Sequence, residues 1–188
     1  MSPSEPVIRP RRRDDVPHLA RALLEQQRAS GYPHRDPLPY SAEQFILRPG
    51  TTAAWVAEVD GLPVGHVAIS RPGDPTSLAD GDAAVVRAWM DAHRRPHDEL
   101  GEVAIFFTAS SARGSGAGTA LLATAVAALR ERDLAPCLDV VPTSTGAMRL
   151  YRRTGWQEVG RVRPSWLSED APDVIAMVLP DGSAGAGS

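Results

Sequence analysis

The stretch EVAIFFTASSARGSGAGTALL, residues 102–122, decides the fold because it joins three kinds of segment. An apolar run of strand length, EVAIFFTA, is followed by a short polar connection and then by a run with glycine at every second position, Gly114–Gly118. The residues from Thr119 to Arg132 carry apolar side chains at helical spacing on one face. A strand, a glycine-rich turn and an amphipathic helix in this order predict an anion-binding loop.

The physical basis of such a loop is its backbone. Glycine has no Cβ, so successive N–H groups can turn towards one bound anion. The N-terminus of the following helix adds a partial positive charge, and Arg113 adds a full one. A pyrophosphate suits this arrangement. Taken alone, the loop also fits a simple glycine-rich turn that only connects the strand to the helix, because isolated glycine motifs are weak signals.

Three kinds of phosphate-binding protein are excluded by counting residues. The dinucleotide pattern G-x-G-x-x-G fails, because the third glycine would fall on Thr119 when counted from Gly114 and on Leu121 when counted from Gly116. The chain contains no lysine, and all 20 of its Lys and Arg residues are arginine. It therefore lacks the lysine of a P-loop, of a protein kinase and of a Schiff-base enzyme.

Composition restricts the partners and the location. A chain of 188 residues suits one domain with a single core. The net charge of −3 supplies no general field for nucleic acid or for an anionic membrane. No apolar run approaches the ~20 residues of a membrane span, and the start MSPSEPVIRP lacks an apolar signal core. We therefore expect a cytoplasmic protein with neither nucleic acid nor a membrane as its partner.

The rest of the chain alternates strands and helices. Strands are predicted at 7–10, 55–59, 64–70, 102–109, 137–141, 158–162 and 173–179, with a hairpin turn at 60–63. Helices are predicted after Asp14 or Asp15, at 41–47, at 119–132 and after a cap at Ser144. The fold class is therefore α/β or α+β, with a mixed central sheet flanked by helices. We expect a single domain over residues 1–180, an exposed insertion with its own helix at 71–98, and a disordered tail at 181–188.

Three other features receive structural rather than functional interpretations. Cys137, the single cysteine, is predicted to be a small buried hydrophobic residue. His93 and His97 have a spacing that could suit a metal, but Pro96 lies between them and no further ligand is patterned nearby, so we expect an exposed pair and no metal site. The arginines within Arg9–Arg13 are predicted to form a solvated turn between a strand and a helix.

Two motifs together resemble the GNAT acyltransferases, which use acetyl-CoA. The family signature Arg/Gln-x-x-Gly-x-Gly/Ala is matched by RGSGAG at Arg113–Gly118, and the later family helix A-x-x-L-Y-x-x-x-G-F/W is matched by AMRLYRRTGW at Ala147–Trp156. The order of the motifs and the strand between them make the pair far more specific than either motif alone. The chain departs from the family where it has Ser110 in place of a frequent proline and Ser144 in place of a frequent asparagine.

The resemblance implies a set of site residues. Tyr151 would protonate the leaving thiolate of CoA, although its other interpretation is a core aromatic. Glu102 would act as the base, or would be a solvated carboxylate at a strand end. The remaining implied contacts to acetyl-CoA are the backbone of Phe107, Thr108 and Ala109 for the pantetheine arm, the loop residues Arg113, Gly114, Ser115, Gly116, Ala117, Gly118 and Thr119 for the pyrophosphate, and Ser144.

The function implied is an acetyl-CoA-dependent N-acetyltransferase that transfers an acetyl group to a primary amine of a small molecule or peptide. The acceptor pocket would draw on Tyr32–Phe45, on the 71–98 segment and on Trp166. Members of the family are often dimers, so a homodimer is compatible with the resemblance. Two alternatives stay open: a non-catalytic acyl-CoA-binding or regulatory module, and a toxin that acetylates aminoacyl-tRNA. The acidic charge balance disfavours the toxin, since tRNA binding requires a basic face.

Overall fold

The fold was analysed in a computed structural model, which describes residues 5–182. The strands and helices alternate along the chain in the order β1 (Val7–Pro10), α1 (Val16–Ser30), α2 (Ala42–Ile46), β2 (Thr51–Val59), β3 (Leu62–Ser70), α3 (Asp80–His93), β4 (Leu100–Thr108), α4 (Ala117–Arg130), β5 (Ala135–Val140), α5 (Thr145–Arg153), β6 (Gln157–Val162) and β7 (Val174–Val178). Seven strands form a mixed sheet in the order β1-β2-β3-β4-β5-β7-β6, flanked by helices. This architecture confirms the predicted fold class.

The chain divides into two compact units. The first comprises the chain up to Arg71 together with Val103–Ala128, and the second comprises Pro72–Glu102 together with the chain from Leu129 onwards. Strand β4 contributes to both units, because its first residues belong to the second unit and the rest to the first. The tail predicted over 181–188 lies outside the described residues from position 183.

The first unit is built on an antiparallel meander of β1, β2 and β3. The turn between β2 and β3 contains only Asp60 and Gly61, which have φ angles of 51° and 79°. Two residues with positive φ favour a type I′ turn, which matches the twist of a hairpin. The predicted turn at 60–63 is therefore two residues too long, and Leu62 and Pro63 belong to β3.

The arginine-rich turn before α1 is solvated only in part, because Arg12 and Arg13 are exposed while Arg9 and Arg11 are half-buried. Asp15 is 6% exposed, and its carboxylate accepts hydrogen bonds from the Arg9 guanidinium at 2.8 and 2.7 Å. The Arg9 Nε also donates to Glu58 on β2 at 2.7 Å, and the backbone N–H of Arg12 donates to Asp15 at 2.6 Å. Of the two predicted caps, Asp14 or Asp15, the structure places Asp15 at the cap position of α1, but its side chain makes no capping hydrogen bond because these bonds use the carboxylate elsewhere.

The second unit places α3 and α5 with β5, β7 and β6. The first residues of β4 pair in parallel with β5, from Leu100↔Ala135 to Glu102↔Cys137. Strand β7 pairs antiparallel with both β5 and β6. Strand β7 is buried along its whole length, since it is the central strand of this group. A continuous apolar run is the pattern that such a position requires.

Helix α3 lies in the segment 71–98, for which we expected an exposed insertion. Its apolar face is buried, with Val85, Val86 and Trp89 at most 5% exposed, and it packs on β5, β6 and β7. The indole Nε1 of Trp89 donates to the carbonyl of Leu138 on β5 at 3.1 Å. The expectation of an exposed segment is therefore wrong for this helix, because the periodic apolar residues find a sheet face to cover.

The first testable prediction concerns this helix. Trp89→Ala removes a buried indole and leaves the Leu138 carbonyl without its donor, so we expect the free energy of unfolding to fall by about 3–5 kcal/mol. Urea denaturation followed by circular dichroism measures this loss. Arg87→Ala, at an exposed position of the same helix, is the matched control and should change the value by less than about 0.5 kcal/mol. Equal effects of the two substitutions would contradict the packing of α3.

Candidate active site

The glycine-rich loop of the first unit begins directly after β4. A 3-10 turn at Ser110–Ala112 follows the strand, and α4 begins at Ala117. Between them, Gly114 and Gly116 adopt φ angles of 80° and 86°. Residues with a Cβ are strained at these angles, so the alternation of glycine with other residues is what allows the backbone to turn here.

Ser115 organises the loop from the inside. Its backbone N–H and its hydroxyl both donate to the carbonyl of Ala112, at 3.3 and 2.7 Å. The hydroxyl in turn accepts from the backbone N–H of Ala117 at 3.3 Å. The Ser115 side chain is thus used to shape the loop. The structure gives it a supporting role alongside the ligand contact that the resemblance implies.

Three further N–H groups of the loop belong to its glycines. Within residues 5–182, no acceptor bonds the backbone N–H of Gly114, Gly116 or Gly118. A Cβ added at Gly114 or Gly116 would meet no atom within 4 Å, so the space beside these two residues is open. Arg113 is exposed and forms no ion pair with the described residues. Unbonded donors, an unpaired guanidinium and the N-terminus of α4 are groups of the kind that bind anions in proteins.

The end of β4 carries the residues predicted to contact the pantetheine arm. Phe107 is buried at 5% exposure, while Thr108 and Ala109 are half-buried. The backbone N–H of Ala109 donates to the carbonyl of Val64 at 2.7 Å, and its carbonyl accepts from Ala112 at 3.0 Å. Ala109 is therefore engaged within the protein, and a ligand could use only the second lone pair of its carbonyl.

Gly65 on β3 was missed by the sequence analysis. A Cβ at this position would lie 2.9 Å from Leu121 Cδ1 and 3.2 Å from Thr108 Cγ2. Both distances are tighter than ordinary packing, so glycine at position 65 lets β3 approach the end of β4 and α4 closely without displacing these two side chains. A glycine inside a strand pattern was the available signal, since it marks a close backbone approach.

Thr119, on the first turn of α4, is exposed.

In the second unit, Ser144 stands at the N-terminus of α5. Its side chain makes no capping hydrogen bond, so the predicted serine cap is wrong. The Oγ atom is instead buried and has no hydrogen-bond partner among the described residues. A buried hydroxyl without a partner is costly, and such groups in native structures are often completed by a ligand or a water molecule.

Tyr151 lies on the buried face of α5 and is 6% exposed. Its ring centroid is 5.8 Å from that of Trp156, with an angle of 57° between the ring planes. Burial raises the pKa of the Tyr151 phenol well above its ordinary value, and the negative charge of Asp139 raises it further. The phenol therefore stays protonated at neutral pH and can donate a proton.

Glu102 is half-buried on β4 and pairs in register with Cys137 on β5. The thiol of Cys137 is fully buried and donates to the carbonyl of Gly101 at 3.4 Å. Burial raises the pKa of Cys137 well above the usual value, and the charges of Glu102 and Asp139 add to the shift. A thiol held protonated is a poor nucleophile, so the prediction of a buried structural cysteine is confirmed.

The described part of the chain shows no grouping of three or more His, Cys, Asp or Glu side chains suited to a metal ion. His93, expected to be exposed, is half-buried at the end of α3, and its Nε2 atom lies 3.0 Å from the carbonyl of Pro136. Within the same residues, no helix is both long and apolar enough to cross a membrane.

The structure thus places the predicted site residues in two sets. In the first unit, the end of β4 and Ala109 after it (Phe107–Ala109) lie shortly before the anion loop (Arg113–Thr119) along the chain. The second unit holds Ser144 and Tyr151 at opposite ends of α5, and it holds Glu102 at the last position where β4 pairs with β5.

Comparison with known proteins agrees with these features. The sequence model of the acetyltransferase (GNAT) family matches residues 19–156. Among solved structures, the ribosomal-protein-S18-alanine N-acetyltransferase of Escherichia coli is 16% identical, with 97% of this chain and 98% of that chain covered and a TM-score of 0.63. Arabidopsis thaliana NAA60, solved in complex with acetyl-CoA, is 18% identical, with coverage of 92% and 97% and a TM-score of 0.64.

A Corynebacterium glutamicum protein described as histone acetyltransferase HPA2 and related acetyltransferase is 26% identical, with coverage of 94% and 96% and a TM-score of 0.63. No curated protein matches the chain. The family match spans the anion loop and the Tyr151 helix, the two motifs that first suggested the relationship. The chain therefore belongs to the GNAT family of acetyltransferases and is an acyltransferase.

Proposed function

We propose that this protein transfers an acetyl group from acetyl-CoA to a primary amine of a small molecule or peptide. The observation that carries the proposal is the anion loop, where three backbone N–H groups have no acceptor within residues 5–182 and open space lies beside Gly114 and Gly116, next to Arg113. Family membership makes acetyl-CoA the donor that this loop would serve. NAA60, a structural neighbour, was solved with that donor bound.

The residues present fit a bound CoA thioester. The pyrophosphate would accept from the N–H groups of Gly114, Gly116 and Gly118 and pair with Arg113. Charge-assisted hydrogen bonds of this kind are about twice as strong as neutral ones. The buried hydroxyl of Ser144 would gain the partner that it lacks among the described residues. Bound CoA would therefore supply hydrogen-bond partners for the loop N–H groups and for the Ser144 hydroxyl.

Proton movements are assigned to two side chains. Acetyl-CoA supplies the thioester as an activated acyl donor. Tyr151 holds a proton on its phenolic oxygen and would deliver it to the departing sulfur, because burial keeps the phenol neutral. Glu102 would take a proton from the ammonium form of the acceptor, directly or through a water molecule, so that the free amine can attack the thioester carbonyl. The backbone of Phe107 and Thr108 would orient the acyl arm, since these residues directly precede the anion loop.

The proposed acceptor is an amine. The names of the structural neighbours suggest which classes of amine to test. The name of the Escherichia coli neighbour specifies an alanine of a ribosomal protein as the acceptor of that enzyme. Peptide N-termini therefore belong in any screen of this chain beside small amines. The net charge of −3 favours cationic acceptors over anionic ones in long-range attraction.

The decisive test is an amine panel with CoA release as the readout and mass spectrometry of the products. Peptides with different N-terminal residues, polyamines and amino sugars cover the acceptor classes, and aminoacyl-tRNA is included as a separate arm. We expect CoA release and a product heavier by one acetyl group with at least one small amine or peptide. Binding of CoA without transfer to any acceptor would instead support a non-catalytic module, and transfer to aminoacyl-tRNA alone would support a toxin.

Ser144→Ala tests the fit of the donor at α5. The hydroxyl has no partner among the described residues, so its removal should change the free energy of unfolding by less than about 0.5 kcal/mol. Loss of one hydrogen bond to the ligand should raise KM for acetyl-CoA about fivefold. Thr154→Val is the matched control, because the Thr154 hydroxyl donates to the carbonyl of Leu150 at the other end of α5. It should lower stability and leave KM unchanged.

The two variants separate a ligand contact from a structural role. Steady-state kinetics and urea denaturation on the same preparations give both quantities. If Ser144→Ala lowers stability and leaves KM for acetyl-CoA unchanged, the hydroxyl serves the fold and the proposed contact is wrong.

A further inference from the structure

His66 is a fully buried polar residue of β3 in the first unit, and the proposed chemistry does not use it. Both of its ring nitrogens have close partners. Nδ1 lies 2.7 Å from the carbonyl oxygen of Ile105 on β4, and Nε2 lies 3.2 Å from Nη1 of Arg11. The ring therefore links the chain before α1 to the strand that leads into the anion loop.

The two partners determine which nitrogen carries the proton. Arginine can only donate hydrogen bonds, so Nε2 must accept from Arg11, and a carbonyl can only accept, so Nδ1–H must donate to Ile105. Arg11 is itself held by a second bond, from Nη1 to the carbonyl of Ile46 at 2.8 Å. Both neighbours thus select the same neutral form of the ring, the Nδ1–H tautomer.

The charged groups around the ring favour this neutral form. Burial lowers the pKa of His66 to about 4, and the Arg11 guanidinium lowers it, while the Ile105 carbonyl and the Asp15 carboxylate act in the opposite direction. The Asp15 charge is shared with Arg9. His66 is therefore an uncharged donor over the whole physiological range of pH.

The hydrogen bond from His66 reaches a residue, Ile105, whose backbone conformation is unusual. Ile105 has a φ angle of 48°, the left-handed region that a β-branched residue rarely adopts. Such a conformation persists only where its surroundings hold it. The Nδ1–H bond holds the carbonyl of this residue. The ring centroid of His66 also lies 5.7 Å from the ring centroid of Phe107. His66 thus contacts β4 at the irregular residue and again two residues later.

We propose that His66 is a positioning residue that fixes the Ile105 peptide and thereby sets the direction of Phe107 and Thr108 against the acyl arm of the donor. The inference rests on the proposed function, because it assigns the end of β4 to that arm. It adds a residue on β3 that touches neither the donor nor the acceptor. A positioning role differs from a purely structural one by acting on kcat at unchanged fold.

The kinetic test compares His66→Leu, which cannot donate, with His66→Asn, whose amide can replace Nδ1–H as the donor to Ile105. We expect His66→Leu to lower kcat by about 10- to 100-fold, with less than about a threefold change in KM for acetyl-CoA. His66→Asn should recover most of this loss. Val67→Ala is the matched control, since Val67 is also fully buried on β3 and its side chain points to the opposite face.

Thermal denaturation of all three variants separates positioning from stability. If Val67→Ala lowers Tm as much as His66→Leu and lowers kcat equally, the effect is structural and the inference is overturned. Equal kcat in His66→Asn and His66→Leu, or full activity in His66→Leu, overturns it as well.

A second readout does not depend on turnover. Long-range nitrogen–proton NMR of the wild-type ring should show the Nδ1–H tautomer, and amide hydrogen exchange at Ile105–Thr108 should be faster in His66→Leu and restored in His66→Asn. An Nε2–H tautomer or unchanged exchange rates overturn the inference even where the enzyme is active. Absence of turnover in the wild type, with these NMR results as expected, counts against the proposed function and leaves the fixing of Ile105 supported.

Discussion

Tyr151→Phe is expected to lower kcat by about 100-fold or more while leaving KM for acetyl-CoA within about threefold of the wild type. The substitution removes one oxygen and keeps the ring that packs at 5.8 Å from Trp156. General-acid catalysis acts on the step in which the sulfur departs, so its loss appears in kcat rather than in donor binding. Steady-state kinetics with the acceptor identified in the amine panel measures both constants.

The pH dependence of kcat/KM provides a second test of the role of Tyr151. Because burial raises the pKa of Tyr151 above its ordinary value of about 10, the phenol does not titrate at neutral pH. Any titration of kcat/KM between about pH 6 and pH 9 must come from another group, so it should persist in Tyr151→Phe. Glu102→Gln, which removes the proposed base, should lower kcat with the same acceptor. A Tyr151→Phe enzyme with unchanged kcat would show that Tyr151 is only a core aromatic.

Gly116→Val is expected to raise the dissociation constant for CoA by about 30-fold or more. Valine at a φ of 86° is strained, so the loop must leave the conformation that presents the neighbouring N–H groups. The added side chain would also project into the open space in front of the loop. Isothermal titration calorimetry with CoA, which needs no acceptor, measures the effect.

Gly50→Val provides an unusually close control. Gly50, in the turn before β2, has the same φ of 86° and equally open surroundings. Both substitutions therefore impose the same backbone strain and differ only in whether the site is the anion loop. We expect similar losses of stability and a loss of CoA affinity in Gly116→Val alone. Equal CoA affinities in the two variants would refute the assignment of the loop to the pyrophosphate.

Much of the fold could be predicted because the sequence patterns that specify strands, helices and turns involve residues close together in the chain. The apolar runs placed all seven strands, and the helical spacing placed the helices after Asp15 and in the segment after Gly118. The anion loop was equally accessible, since the positions of Gly114 and Gly116 correspond directly to the positive φ angles observed. Local steric rules connect residue type to backbone conformation without reference to distant parts of the chain.

Other predictions failed because short-range rules competed with partners elsewhere in the fold. Asp14 or Asp15 was expected to cap α1, but Arg9 and the Arg12 amide bind the carboxylate of Asp15, the residue at the cap position. The segment containing α3 looked polar on average, yet Trp89 reaches the carbonyl of Leu138, a residue 49 positions away. Average polarity describes the exposed face of a helix and conceals the apolar stripe that the sheet covers.

The sequence by itself determined the order of strands and helices and the glycine-rich loop, because these depend on residue type and spacing, whereas Tyr151 became the proton donor candidate through the resemblance to the GNAT family. Only the tertiary structure decided the electrostatic state of the groups. The burial of Tyr151, the Ser144 hydroxyl that has no partner in residues 5–182, and the bond from His66 to Ile105 arise from side chains that long-range packing brings together. Desolvation and hydrogen-bond geometry depend on these distant neighbours, and no local pattern encodes them.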